Sequence, residues 1–422
     1  MVILLMMSNN ASSIVFHLKY IISNMKTLFA NARILTMKDG PSFLRGNLAI
    51  ENDKIVYLGT EQPRVRFDRT VDCQNMILMP GLKNAHTHSA MVFLRGFGEG
   101  LPLHLWLEKV YPVEEKLKPD DVYWLSQAAF LEYIRSGTTA FFDMYYFPPS
   151  IVAAANDFGI RCTMLYTPGN EAEHTQEIEN EFDKYLGRDS LITPRIGYHA
   201  EYTASPKQLD SVKTLSSRYH LPVFTHISET QKETDECLIR RRGITPTEFM
   251  DQKGFFEYGG GGYHCIYLSE NDQKIFAAKK LFVISCPGSN MKLKDGTAPL
   301  SMYFREDIRI ALGTDGASSN DSLSMWREMH LASKQNPDIP PYEILKMGTV
   351  NGALAMGLEH SDVLAVGKKA DLILVDGQDI PYLAHEAKDD DVKAVYINGV
   401  EMKPVDKKIL KEAAERTRRL LQ

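Results

Sequence analysis

The sequence predicts an α/β protein: a (β/α)8 barrel with a small β-sandwich domain formed from both ends of the chain. Three observations carry this reading. Eight short apolar runs between Met76 and Gly316 alternate with helical patterns, as parallel strands joined by crossover helices require. Strand-like segments before residue 80 have counterparts near the C-terminus. Most of the eight runs end in a histidine or a carboxylate, and the chemistry of such barrels sits at the C-terminal ends of the strands. A doubly wound open sheet is the competing arrangement. It would want a glycine-rich phosphate loop after its first strand, and the sequence has no GxGxxG or Walker motif there.

The 422 residues, 44% of them apolar, suffice for a large core and more than one domain. The net charge of −6 argues against a nucleic-acid partner, which needs basic surface. Cys73, Cys162, Cys237, Cys265 and Cys286 are scattered, with no CxxC pair, which points to a reducing compartment, the cytoplasm, and no disulfide framework. The apolar stretches "MVILLMM" and "IVFHLKYII" are both too short to span a membrane. Residues 1–24 therefore read as an extension dispensable to the fold, upstream of a natural start at Met25; a membrane or targeting role is the alternative.

Taken in order, "TLFANARILTM" alternates as a strand. "GNLAIENDKIVYLG" is a hairpin around Asn52-Asp53, and "VDCQNMILMPG" is a further strand. "GKKADLILVD" and "VKAVYINGVEM" read alike, so residues 25–80 plus 362–405 make the small β-domain. Residues 81–361 make the barrel, and residues 406–422 a C-terminal helix. Its strands are the runs in "MILMPGLKNAHTH", "GTTAFFDMY", "IRCTMLYT", "PRIGYHAEYT", "LPVFTHISE", "GGYHCIYLS", "LFVISCPGSN" and "IRIALGTDG". Between them, Pro119-Asp120-Asp121 opens a helix with Val122, Leu125, Ala129 and Tyr133 on one face, ended by Gly137. Ser205-Pro206 opens another, and Ser269 with Asp272 forms a capping box. Gly259–Gly262, before the sixth strand, reads as a flexible or shortened loop.

Strand one ends in His86-Thr87-His88, strand four near His199 and Glu201, strand five in His226 with Glu229, strand six in His264 and strand eight in Asp315. Residues i and i+2 of a strand share a face, so His86 and His88 aim at one point on the barrel axis. Imidazole and carboxylate ligands suit one divalent metal, Zn²⁺ first, with Fe²⁺ tolerated. Such an ion lowers the pKa of a bound water toward ~7. Glu229, three residues past His226, is a proton-shuttle candidate. No HExxH helix is present, and no HxE with PCxxC.

With these residues in view, "PGLKNAHTHSAM", "HISET", "GYHCIYLSE", "SNMKLKDGTAPL" and "LGTDGASSNDSLSM" closely resemble the amidohydrolase superfamily. Within it they are similar to the branch holding S-adenosylhomocysteine/methylthioadenosine deaminases and triazine hydrolases, over about residues 27 to 402. By position the resemblance implies His86, His88, His226 and Asp315 as metal ligands and Glu229 with His264 as the catalytic pair. It implies Glu114 as a contact to ribose hydroxyls and His199 as a substrate contact. No lysine stands where binuclear members carry a carboxylated one, so a single metal is implied. The implied reaction is hydrolytic deamination of an adenosine-like nucleoside. Water held by His264 and Asp315 attacks the ring carbon, Asp315 takes a proton, Glu229 protonates the adjacent ring nitrogen, and ammonia leaves.

The alternative on the same scaffold is an aminohydrolase or chlorohydrolase of another N-heterocycle: guanine, a cytosine-like base or a triazine. A barrel that binds without turnover would lack a ligand or Glu229, and neither is missing. The partner is thus a small purine nucleoside or other heterocycle, not nucleic acid or membrane, and barrels of this family often pair as homo-oligomers. Two positions depart from the family pattern. Tyr166 stands where deaminases accepting S-adenosylhomocysteine hold an arginine for its carboxylate, and Ser285 replaces a histidine. The first puts the carboxylated substrate in question, and the second also perturbs the substrate side. Of the remaining histidines, His104 is expected nearest the substrate mouth, and the rest read as structural or surface.

Overall fold

The computed structural model describes residues 25–170 and 172–422. The expectation for residues 1–24 lies outside the described residues. The terminal strands are β1 (Lys26–Ile34), β2 (Leu44–Glu51), β3 (Lys54–Gly59), β4 (Arg69–Asp72) and β5 (Ile77–Pro80), followed far along the chain by β14 (Leu372–Val375), β15 (Val392–Ile397) and β16 (Val400–Glu401). They form one mixed sheet in the order β16-β15-β14-β5-β1-β2-β3, with β4 paired to β1. The two ends of the chain meet where β14 pairs antiparallel with β5. The β2–β3 hairpin sets Glu51 opposite Lys54 across Asn52-Asp53, with Asn52 at φ 58°, a conformation asparagine tolerates. Phe29, Ile34, Leu48, Leu78, Leu372 and Tyr396 close a core on this sheet.

The barrel strands are β6 (Leu82–Thr87), β7 (Thr138–Asp143), β8 (Arg161–Tyr166), β9 (Ile192–Ala200), β10 (Val223–Ile227), β11 (Gly260–His264), β12 (Phe282–Ser285) and β13 (Arg309–Leu312). They are hydrogen-bonded in chain order and all parallel. The segment after β13 returns to β6, where Asp315 N donates to His86 O at 3.0 Å and Thr314 N to Asn84 Oδ1 at 3.0 Å. The apolar run from Met76, one strand in the sequence reading, is divided at Gly81 between the two sheets. A Cβ there would lie 2.2 Å from Thr139 Cγ2, so only glycine lets the chain pass from one sheet to the other.

Ala85, Ala140, Phe142, Leu165, Phe224, Tyr263, Ile284 and Ala311 pack together in the barrel interior, so it is a filled core with its working face above. Helices surround it. Helix Pro119–Arg135 buries Val122, Leu125, Ala129 and Tyr133. Ser205 Oγ accepts from Gln208 N, and Ser269 with Asp272 makes a reciprocal capping box. Helix Lys407–Leu421 packs on helix Pro119–Arg135, where Arg416 and Arg419 pair with Asp120 and Asp121.

The glycine run is a correction. Gly260, Gly261 and Gly262 are strand residues of β11, paired with Val223, Phe224 and Thr225 of β10. A Cβ at Gly260 would sit 2.0 Å from Val223 O, and one at Gly261 2.2 Å from Phe282 O. The run reflects the close approach of β10 and β12 on either side, not a loop.

Candidate active site

Above the interior layer, the ends of β6, β10, β11 and β13 converge on one cluster. The ring nitrogens of His86, His88 and His226 lie within 4.8 Å of one another, and those of His86 and His264 lie within the same distance of an Asp315 oxygen. Backbone carbonyls behind two of the rings explain their aim. His88 Nδ1 bonds Met144 O, and His226 Nδ1 lies 2.8 Å from His199 O. Both rings therefore carry their proton on Nδ1 and turn Nε2 inward, as a metal-binding imidazole does. His86 stacks on Tyr263 with ring centroids 3.8 Å apart. Both its nitrogens are buried with no hydrogen-bond partner. An unpartnered buried imidazole is costly, and a cation is the natural occupant for its lone pair. The donor set fits a divalent ion held by His86, His88, His226 and Asp315.

Asp315 is saturated on one side only. Its Oδ2 accepts from Ser289 Oγ at 2.6 Å and Ser319 Oγ at 2.7 Å, leaving Oδ1 facing His88 Nε2 at 3.2 Å and His86 Nε2 at 3.5 Å. Burial alone would raise its pKa, but the His86 and His88 contacts hold it well below the usual carboxylate range. The same pairing raises His88 to about 9 against the effect of burial, whereas burial pushes His86 down to about 3. A cation bound here would answer the Asp315 charge.

Glu229 Oε1 lies 3.5 Å from His264 Nε2, and both residues are buried. Burial, with the negative charges of Asp315 and Glu233, lifts the Glu229 pKa well above the ordinary range, which favours its protonated form. Glu229 stands just before helix Gln231–Arg240, but another residue serves the helix end. Glu233 accepts from Ser228 N at 3.0 Å and Glu229 N at 2.8 Å, leaving the Glu229 carboxyl to face His264. His264 owes its direction to backbone strain. Its neighbour Tyr263 already faces inward, and regular alternation would send His264 outward; at φ 65° its ring instead stands 5.4 Å from that of His226. Ser228 and Asp315 are also left-handed, at φ 51° and 58°. Such strain concentrates where a strand end must turn a functional group inward.

A cavity of about 740 Å³ opens from this cluster. His88, His199 and Glu114 line it. Glu114 is buried at the end of helix Leu103–Glu114 and accepts from Tyr145 Oη at 2.5 Å. His199 Nδ1 lies 3.2 Å from Thr203 Oγ1, and its ring is 4.7 Å from that of His226.

Other positions fall elsewhere. Glu201 is turned away and paired with Arg240 and Arg241. His104 is exposed and does not line the cavity. Tyr166 corrects the argument built on it: it packs on Ile178 and Phe182 outside the barrel and donates to Glu181 Oε2 at 3.1 Å. It is Thr167 that lines the cavity. Ser285 is buried at the end of β12 with its hydroxyl unpartnered. Ser289, Ser319, Glu233, Tyr145 and Asn290, whose Oδ1 is 2.7 Å from His264 Nδ1, were not singled out from the sequence. Their only signal was proximity in the chain to the motif residues.

The pattern of the Amidohydrolase family matches residues 77–402. A 5-methylthioadenosine/S-adenosylhomocysteine deaminase of Pelotomaculum thermopropionicum is 37% identical, the match covering 93% of this chain and 98% of that protein. The crystal structure of an adenosine deaminase from Xanthomonas campestris with bound zinc superposes with a TM-score of 0.88 at 27% identity, over 94% of this chain and 99% of that one. An atrazine chlorohydrolase from Arthrobacter aurescens complexed with zinc shares the fold, with a TM-score of 0.82 at 21% identity over 94% of this chain and 100% of that one.

Proposed function

The chain belongs to the amidohydrolase family, and on that premise we propose that it is a metal-dependent hydrolytic deaminase of an adenosine-like nucleoside. The observation that carries the reading is the placement of the buried Glu229 carboxyl 3.5 Å from His264 Nε2, beside the inward nitrogens of three further histidines. The deaminase of Pelotomaculum, similar over nearly its whole length, supports it.

His86, His88, His226 and Asp315 would hold one ion, for which we propose zinc; the donor set and the zinc-bound relative support that choice. When bound, the ion supplies Lewis acidity that makes a water nucleophilic near neutral pH. The chain's residues do the rest. His264, its Nδ1 proton held by Asn290, offers the Nε2 lone pair to orient the water. Asp315 Oδ1 accepts a proton from it. Glu229 delivers its proton to the ring nitrogen adjacent to the aminated carbon, so no negative charge accumulates there as water adds. Asp315 then passes the proton it took to the amino group, Glu229 takes the proton of the new hydroxyl, and the carbon–nitrogen bond breaks to release ammonia as the ring carbonyl forms. Glu114, buried in the cavity wall, presents a carboxylate acceptor suited to ribose hydroxyls, which favours a nucleoside over a free base. The five cysteines are all free, which supports a cytoplasmic location. No helix among the described residues is long and apolar enough to cross a membrane.

The test is ammonia release by metal-loaded protein from adenosine and methylthioadenosine, against guanine and cytosine, with chloride release from a chlorotriazine. Turnover of the nucleosides alone is the expected result; turnover of only a free base or the triazine would overturn the assignment.

A further inference from the structure

The walls of the cavity carry a charge pattern that bears on what the substrate holds beyond its ribose. Besides Glu114, the cavity is lined by the apolar side chains of Trp106, Leu107, Pro119, Phe147, Pro148 and Pro149. No lysine or arginine lines the cavity among the described residues, and its two acids are Glu114 and Glu177. Lys118 and Lys207 precede the lining residues Pro119 and Gln208 but do not themselves line the cavity, and two further lysines nearby are engaged elsewhere. Lys109 stands over the Phe97 ring at 5.0 Å, and Lys116 Nζ donates to Leu420 O at 3.2 Å. Helix Ala172–Tyr185 turns its N-terminal end toward the mouth, where a dipole could attract an anion. Its first turn carries Glu173, and Glu177 on the same helix lines the cavity.

A ligand carboxylate held here would lose water without gaining a guanidinium or ammonium, and would face Glu177, with His174 the one other titratable side chain that this helix brings to the lining. A thioether or hydroxyl loses nothing of the kind, and an ammonium would gain Glu177. Tyr166, which faces away from the cavity, plays no part in this; the pattern belongs to the wall as a whole.

Resting on the nucleoside-deaminase reading above, we propose that the enzyme selects adenosine nucleosides whose 5′ substituent is neutral or cationic, and that the cation-free wall with Glu177 at its mouth discriminates against a carboxylated tail. Of the two substrates in the name of the Pelotomaculum relative, the methylthio nucleoside is the one this cavity accepts.

The test compares kcat/KM of the metal-loaded full-length protein for three thio-nucleosides: 5′-methylthioadenosine, 5′-(3-aminopropyl)thioadenosine and S-adenosylhomocysteine. The aminopropyl compound keeps most of the tail's length and its ammonium but removes the carboxylate. The expected result is that the first two fall within about tenfold of each other, with S-adenosylhomocysteine lower by about 10²-fold or more, the scale of an unpartnered charge. S-adenosylhomocysteine reacting as well as methylthioadenosine would overturn this inference alone and leave the deaminase reading standing. A loss shared equally by the aminopropyl compound and S-adenosylhomocysteine would overturn it too, by making length the cause. No ammonia from any of the three, with turnover of a free base, would overturn the nucleoside reading and this inference together. In Glu177→Arg, at an exposed helix position, the handicap of S-adenosylhomocysteine should shrink by about tenfold. An unchanged ratio would overturn the part given to Glu177.

Discussion

The Nδ1 atom of His264 lies 2.7 Å from the Oδ1 atom of Asn290, and both side chains are buried. An amide oxygen only accepts, so the pair fixes the tautomer that leaves Nε2 as the acceptor facing Glu229. Asn290→Leu frees the ring to flip and should lower kcat by about 10- to 100-fold, the usual effect of losing such an orienting partner. Asn290→Asp retains an acceptor and should recover most of the rate. Steady-state ammonia release, with bound metal quantified in each variant, checks both. Equal rates in Leu and wild-type proteins would show that the tautomer is set by other means.

Glu229→Gln keeps size and hydrogen-bonding shape but cannot release a proton. It should retain its metal and lose turnover by about 10²–10⁴-fold, the range of general acid–base catalysis. Metal analysis and single-turnover rates separate this from a folding defect. A fully active variant would remove Glu229 from the mechanism.

Removal of the metal should abolish activity and lower the melting temperature. Without an ion, the Asp315 carboxylate faces only the His86 and His88 rings at 3.5 and 3.2 Å on its Oδ1 side, and neither nitrogen of His86 has a hydrogen-bond partner. An ion present at a hundred times its Kd contributes about 2.7 kcal/mol. Treatment with a chelator followed by calorimetry, then zinc re-addition, reads both effects. Undiminished activity after metal content falls to background would contradict the assigned ligand set.

Gly261 leaves no space for a side chain, since its Cβ would meet the Phe282 carbonyl oxygen at 2.2 Å. The atom it would meet is strand backbone, so relief requires moving a strand. Gly261→Ala should cost about 1–3 kcal/mol or more, the scale of overpacking, seen as a lower urea midpoint. A midpoint equal to wild type would mean that β11 and β12 separate easily.

What the sequence exposed and what it hid have distinct physical causes. The pair His86 and His88 was legible because strand periodicity is strict and two imidazoles on one face have few other uses. The strands themselves were legible from short apolar runs between capped helices. The Gly259–Gly262 run misled because glycine is read locally as flexibility, whereas the reason for it lies on the neighbouring strands at Val223 and Phe282. Tyr166 misled for a simpler reason: Thr167 lines the cavity, so the preceding residue faces outward, and alternation could have revealed this. Ser289, Ser319 and Asn290 reach the site from the segments after β12 and β13, whose approach is set by tertiary packing.

Glu328 joins those same two segments. Fully buried, its carboxylate accepts from Gly288 N at 2.8 Å and Asn320 Nδ2 at 2.8 Å, bridging the loop after β12 to the loop carrying Asp315. Burial raises its pKa to about 7, against an ordinary value of 4.5. The folded state therefore binds a proton more tightly than the unfolded state. The resulting stabilisation is full below about pH 4.5 and is lost as the pH rises through about 7, because ionising the buried group then costs free energy. A shift of this size corresponds to up to about 3 kcal/mol. Glu328→Gln does not titrate, so the stability of wild type relative to this variant should fall between pH 5 and pH 8. Urea denaturation at both pH values measures the difference. A gap that stays constant, or widens with pH, would mean that Glu328 is ionised throughout and that its two donors outweigh its burial.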